Sequence, residues 1–190
     1  MKRKYGLLIG AVAGLAAAQI ALADETALNL IKKGNDYVGM PSRDKVLEIY
    51  SDKSIGSLSP NVWYVVYYDP TVAFKAVEVK FGAGQEMEVS HSIQPFRLPA
   101  RERDVMDSAQ MSVDSDRALA IAQSQPLLKN LTLRSSRMTL ERGDSGPAWR
   151  IQLFAAGVND PSKEADIGTV VLSATDGSVI KADLNPARAD

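Results

Sequence analysis

The longest uncharged run of the chain lies at its start. A basic cluster, Lys2-Arg3-Lys4, precedes residues 5–23, which carry no charge and are rich in Ala, Leu, Gly and Ile. The run ends in Ala21-Leu22-Ala23, a small-x-small site, and acidic residues follow at once. This order is typical of a secretory signal peptide. We therefore expect 1–23 to be a signal peptide cleaved after Ala23, and the protein to be periplasmic or secreted.

The same run could instead be retained as an anchor. Uncleaved, its 19 uncharged residues would be just long enough to cross a bilayer. Gly6, Gly10 and Gly14 also lie four apart, as in helix-dimerising stripes. The Ala-rich composition is only weakly apolar, which favours cleavage. The protein would contact a membrane only through this segment, if it stays uncleaved.

Apolar residues recur at helical spacing in three later segments, which are therefore predicted as helices. These helices cover 26–33, 43–50 and 115–125. Their apolar faces consist of Ala27, Leu30 and Ile31; of Val46, Leu47 and Tyr50; and of Ala118, Leu119 and Ala122. Asp24 and Asp114 are the expected N-caps, and Pro126 is expected to end the last helix.

Runs rich in β-branched, aromatic or alternating apolar residues predict strands. The predicted strands are 63–68, 72–81, 87–90, 131–141, 149–154, 168–173 and 179–182. Turn residues separate them, at 69–71, 82–85, 143–147 and Asp176-Gly177. Residues 92–113, which contain two prolines and a charged cluster at 101–104, read as a connector.

The order of elements repeats, which suggests an internal duplication. Each half gives a helix, a strand beginning with Trp63 or Trp149, a second strand, a Gly turn and a short strand. The second half is seven residues longer between its Trp and its Gly, which we assign to a longer loop at 159–166.

The chain is therefore predicted as an α+β protein with two helix-on-antiparallel-sheet modules in tandem. The modules cover 24–91 and 114–183, with a linker at 92–113 and a C-terminal tail at 184–190.

The second half resembles the PepSY family over about 70 of 190 residues. The resemblance lies in a helix, a central strand, and a final strand with its Asp-Gly turn. Their sequences are Asp116-Arg117-Ala118-Leu119-Ala120-Ile121-Ala122, Trp149-Arg150-Ile151-Gln152-Leu153 and Gly168-Thr169-Val170-Val171-Leu172-Ser173-Ala174-Thr175-Asp176-Gly177-Ser178-Val179-Ile180. The first half is a weaker PepSY-like match, because 81–84 replaces the Asp-containing turn. The resemblance implies helix-on-sheet modules and protein binding or peptidase inhibition outside the cytoplasm, with no catalytic residues to transfer.

Composition narrows the classes of function. The chain has 22 basic and 23 acidic residues, and loss of the leader would leave a net charge of −4 with no long basic run. Nucleic acid is therefore not an expected partner. Cys is absent, which excludes disulfides, Cys ligands and Cys nucleophiles. No phosphate loop or clustered metal-ligand spacing is present, so no cofactor is expected.

One motif favours a hydrolase. Residues 143–147, Gly-Asp-Ser-Gly-Pro, are similar to the nucleophile motif of chymotrypsin-like serine proteases, with Ser145 as the nucleophile. A triad needs a His, and His91 is the single His of the chain. The residue types also suit a hairpin turn, which we favour.

The strand at 63–68 is apolar on both faces, whereas a sheet covered on one side needs only one apolar face. The second face, Tyr64, Val66 and Tyr68, is therefore either packed against the linker or the other half, or a partner-binding surface.

These observations favour an exported, non-catalytic protein that binds a protein or peptide of the cell envelope and could regulate a peptidase. The alternatives are a small exported serine hydrolase that uses Ser145 and His91, and a structural envelope protein.

Overall fold

The computed structural model describes residues 25–82, 85–90 and 100–189. It has two α-helices, α1 (Ala27–Gly34) and α2 (Ser115–Gln123), which precede the strands of their respective halves. The strands of the first half are β1 (Val46–Ser51), β2 (Val62–Tyr68), β3 (Ala76–Gly82) and β4 (Gln85–Ser90). Those of the second half are β5 (Leu133–Gly143), β6 (Gly146–Ala156), β7 (Glu164–Ser173) and β8 (Val179–Leu184). The α+β class is confirmed.

All eight strands belong to one antiparallel sheet in the order β4-β3-β2-β1-β5-β6-β7-β8. Each half contributes four consecutive strands, and the halves meet at β1 and β5, where Ile49 lies opposite Leu140 and Tyr50 opposite Thr139. The Ser51 hydroxyl strengthens this seam by accepting a hydrogen bond from the Met138 N–H. The seam makes the two predicted sheets continuous.

Both helices contribute to a single core on one face of the sheet. The hydroxyl of Tyr67 on β2 donates to the Ile31 carbonyl of α1, at 2.8 Å. Trp149 on β6 donates its indole N–H to the Val113 carbonyl just before α2, at 2.8 Å. Asp114 caps α2 as predicted, by accepting from the Ser115 N–H, and it also accepts from the Leu28 N–H of α1.

The described part of the connector, 100–113, packs against both halves. Its N–H groups donate to the carbonyls of Phe74 and Val46 in the first half and of Ala174 in the second. The side chains of Met106 and Val113 are buried in the core. The charged residues 101–104 are exposed.

Several predictions about local structure are wrong. The N-cap of α1 is Thr26 and not Asp24, and 72–75 lie in the loop before β3 and not in a strand. Residues 43–50 do not form a helix, because 46–51 form β1. A β-bulge between Val46 and Glu48 interrupts the alternation that would have identified a strand. The seven additional residues between Trp149 and Gly177 do not lie in a longer loop at 159–166 either. The loops 69–75 and 157–163 are equally long, so the additional residues lie in β6, β7 and the turn after β7.

Candidate functional site

One row of side chains crosses the whole sheet on the face opposite the helices. Directly paired residues share a face of a sheet, so the register defines the row from strand to strand. From β4 to β8 its members are Glu88, Lys80, Tyr64, Tyr50, Thr139, Arg150, Val171 and Lys181. Seven strand spacings give it a length of about 34 Å. We call it the cross-sheet row.

Every member of the cross-sheet row is partly or fully exposed. The neighbouring positions behave in the opposite way: Val65, Ile49, Leu140, Trp149 and Leu172 are all buried in the core. The sheet therefore has a covered face and an accessible face. The accessible face carries aromatic, polar and charged groups that could contact another molecule.

Two stacked tyrosines occupy the middle of the row. The rings of Tyr50 and Tyr64 lie 4.6 Å apart between centroids and are inclined by only 8°. The Tyr50 hydroxyl donates to Glu78 Oε2 at 2.6 Å, and the Tyr64 hydroxyl donates to Asp52 Oδ2 at 3.1 Å. The Lys80 ammonium lies 5.3 Å from the Tyr64 ring centroid. These contacts fix the two rings in one orientation.

The phenols of this pair stay protonated at neutral pH. Partial burial, together with the hydrogen bond to Glu78, raises the pKa of Tyr50 well above its ordinary value. Burial also raises the pKa of Tyr64, and the hydrogen bond to Asp52 acts in the same direction. Both groups are therefore hydrogen-bond donors and not bases.

The three residues predicted for partner binding are placed differently from one another. Tyr64 belongs to the cross-sheet row and is partly exposed. Val66 is only 2% exposed and Tyr68 only 6%, although both follow Tyr64 on the same strand face. Val66 and Ala76 form a small buried cluster, against which Leu47, Tyr50 and Ala100 pack. Ala100 belongs to the connector at 92–113, so this buried part of the strand face packs against the connector, which was one of the two alternatives. Of the three predicted residues, only Tyr64 is accessible.

Ser145 lies at the tip of the β5–β6 hairpin. Gly143 pairs with Gly146, so Asp144 and Ser145 form a two-residue turn. Gly146 has a φ of +126°, a conformation that favours glycine. The predicted turn is confirmed. Among the described residues, the exposed Ser145 hydroxyl has no hydrogen bond to a carboxylate. His91, its predicted partner in a catalytic dyad, lies outside those residues.

An open groove of about 900 Å³ continues the accessible face around this hairpin tip. Arg150 and Val171 of the cross-sheet row line it, together with Ser145, Asp176 and Ile180. Arg150 donates twice to Glu141 Oε1, at 2.7 and 2.9 Å, so its guanidinium is held along the sheet surface. The groove is therefore lined by both acidic and basic side chains, among them Asp176 and Arg150.

No group of three or more His, Asp or Glu side chains within 25–82, 85–90 and 100–189 could hold a metal ion. None of the helices in these same segments is long and apolar enough to span a membrane.

Sequence reasoning missed most of the cross-sheet row. Tyr50 was predicted on a helix, and neither Lys80 nor Arg150 was predicted as a site residue. The alternation of β2 and β6 identifies which residues share a face, but only the register shows that those faces form one row.

The chain matches no family model, no curated protein and no solved structure.

Proposed function

We propose that this protein is an exported, PepSY-like binding module of the cell envelope that holds a protein or peptide partner against the accessible face of its sheet. The observation that carries the proposal is the cross-sheet row, because it extends across all eight strands with a fixed tyrosine pair at its centre. Tyrosine and arginine are enriched at protein interfaces, and the row contains both. The tandem arrangement of two modules and the signal peptide 1–23 belong to the same proposal.

A non-catalytic role fits the chemistry of this face. Its phenols are protonated donors, and its arginine is already paired with Glu141. Such groups position and recognise a partner and do not activate a nucleophile. A peptidase is the partner class that the PepSY resemblance favours, with inhibition or regulation as the outcome of binding.

Site-specific photo-crosslinking tests where a partner binds. A photoreactive amino acid is placed at position 64 or 150, on the accessible face, and at position 37 as a control. Tyr37 is a suitable control because it is 47% exposed and contacts Phe81, which belongs to the covered face. We expect one envelope protein to be crosslinked from positions 64 and 150 but not from position 37.

Matched tyrosine variants then test whether the face contributes to affinity. Tyr64→Ser should weaken capture of the crosslinked protein by about tenfold or more, whereas Tyr37→Ser should leave it unchanged. Tyr68 is not a suitable position, since its burial would make substitution a folding defect. If the partner is a peptidase, titration with the wild-type protein should change its rate and Tyr64→Ser should shift that titration.

The alternatives predict other outcomes. A serine hydrolase would show an activity that both Ser145→Ala and His91→Ala abolish. A structural envelope protein would give no specific crosslink from any of the three positions. Equal crosslinking from positions 37, 64 and 150 would contradict a binding face on one side of the sheet.

A further inference from the structure

The last strand of the sheet, β8, has an outer edge with no paired strand among the described residues. Its pairing with β7 fixes which groups point outward. The Asn185 N–H donates to the Ile167 carbonyl, and Thr169 lies opposite Asp183. Because backbone groups alternate along an antiparallel ladder, Lys181 and Asp183 bond toward β7, whereas Ala182 and Leu184 present their N–H and C=O outward.

We propose that β8 is a self-pairing edge, by which two copies of this chain form an antiparallel dimer centred on Ala182. The proposal goes beyond the partner-binding function and does not depend on it. The second copy would add its own β8 directly to this one, which joins two eight-stranded sheets into one.

The charges of β8 select this register. The Lys181 and Asp183 side chains are 69% and 76% exposed and lie on the accessible face, since they pair with Val171 and Thr169. Outward backbone groups must meet outward groups, which permits centres at Lys181, Ala182 or Asp183. A centre at Lys181 opposes two lysines, and a centre at Asp183 opposes two aspartates. Only the Ala182 centre places each Lys181 opposite an Asp183 of the second copy.

Exposed apolar surface lies at the end of the same edge. Val179 is 42% exposed and Ile180 is 60% exposed. In the proposed register Ile180 of one copy lies opposite Leu184 of the other. A bulge at the Val171–Leu172 step of β7 disturbs the ladder next to Ile180, so the regular contact is short.

This geometry predicts a weak, concentration-dependent dimer. The contact of one short strand is well below the interface of about 1,200 Å² that stable complexes use. The dyad would stand perpendicular to the sheet, so both accessible faces would point the same way. Two cross-sheet rows would then share one continuous surface.

A charge-swap cycle tests the register. The full chain is produced in a cell that exports it, and mass spectrometry identifies the N-terminus of the purified form. Sedimentation velocity then measures association from micromolar to millimolar concentration. Lys181→Asp and Asp183→Lys each oppose like charges twice in the dimer, so each should weaken association by about tenfold or more. The double variant restores opposite charges and should associate like the wild type.

The ion pair between Lys163 and Asp160 provides the control. Lys163 Nζ and Asp160 Oδ2 lie 3.2 Å apart in the loop before β7, and neither residue belongs to β8. Their reversal, singly or together, should leave association unchanged. Circular dichroism confirms that every variant folds, and hydrogen exchange should show the Ala182 amide becoming more protected as concentration rises.

The proposal is overturned by any of three results. These are a wild-type chain that is monomeric over the whole range, single variants that associate as strongly as the wild type, and a double variant that fails to recover.

Discussion

Gly34 lies directly against the hydroxyl of Tyr67, and this contact tests how α1 is seated on the sheet. A Cβ at position 34 would come within 2.9 Å of Tyr67 Cζ and closer still to its hydroxyl oxygen. Tyr67 is fully buried, and burial raises the pKa of its phenol, so the hydroxyl remains a donor to Ile31. We predict that Gly34→Ala destabilises the protein in the wild type but less so in a Tyr67→Phe background.

The expected change in the free energy of unfolding for Gly34→Ala follows from two opposing effects. Overpacking costs about 1–3 kcal/mol, and Ala gains up to about 1 kcal/mol over Gly in a helix. Gly34→Ala should therefore cost about 1–2 kcal/mol. Tyr67→Phe should cost about 1 kcal/mol, because the Ile31 carbonyl still accepts from the Asn35 N–H. Removal of the Tyr67 hydroxyl relieves the closest contact of a Cβ at position 34 but not its contact with Cζ. We therefore expect a coupling free energy of about 1 kcal/mol between the two substitutions.

Urea unfolding of the wild type, both single variants and the double variant measures this coupling. Far-UV circular dichroism is a suitable signal, and equal m-values would show that the unfolded states are comparable. A Gly34→Ala variant as stable as the wild type would refute the reasoning. So would single effects that add within about 0.5 kcal/mol, since residues in contact should not behave independently.

Two further variants test the core and the surface. Trp149 is fully buried, donates to the Val113 carbonyl, and its ring centroid lies 6.4 Å from that of Trp63 in an edge-on arrangement. Trp149→Phe should therefore lower the free energy of unfolding in urea by about 2–3 kcal/mol. A decrease of less than about 0.5 kcal/mol would contradict this packing. The hydrogen bonds from Lys53 and Ser135 lower the pKa of Glu164 below its unfolded value of 4.5. The stability that the ionised Glu164 contributes is therefore present above pH 4.5 and is lost as the pH falls through the lower pKa of the folded state. Glu164→Gln should lower the free energy of unfolding by up to about 1 kcal/mol at neutral pH and leave it unchanged in acid. A difference between the variant and the wild type that does not depend on pH would argue against the ion pair of Glu164 with Lys53.

The second half was predictable because its local signals agree with its packing. Alternation in β6 places Trp149, Ile151 and Leu153 on one face, and all three are fully buried. The hairpin at 143–147 and the turn at Asp176-Gly177 lie where turn residues cluster. In the first half, β2 was found for the same reason, because its β-branched and aromatic residues leave no helical alternative.

The seam strand could not be predicted from its own residues. In β1, Val46, Leu47 and Tyr50 fit a short helix face as well as a bulged strand, and short apolar runs are ambiguous in this way. The missed strand is the one that joins the halves, so the prediction gave two sheets where the structure has one. The cross-sheet row was missed for the same reason, since it passes from Tyr64 to Thr139 only through Tyr50.

The internal duplication stays a prediction, and the arrangement around the seam is consistent with it. Each half runs from a helix through four consecutive strands, and the strand order is mirrored about the β1–β5 pair. Trp63 and Trp149 lie on the second strand of their halves and meet edge-on across the seam. A duplicated module that paired through its first strand would generate this mirrored order and bring equivalent residues together near the axis. It would also leave β4 and β8 as the two edge strands of the sheet. The self-pairing edge proposed above is β8.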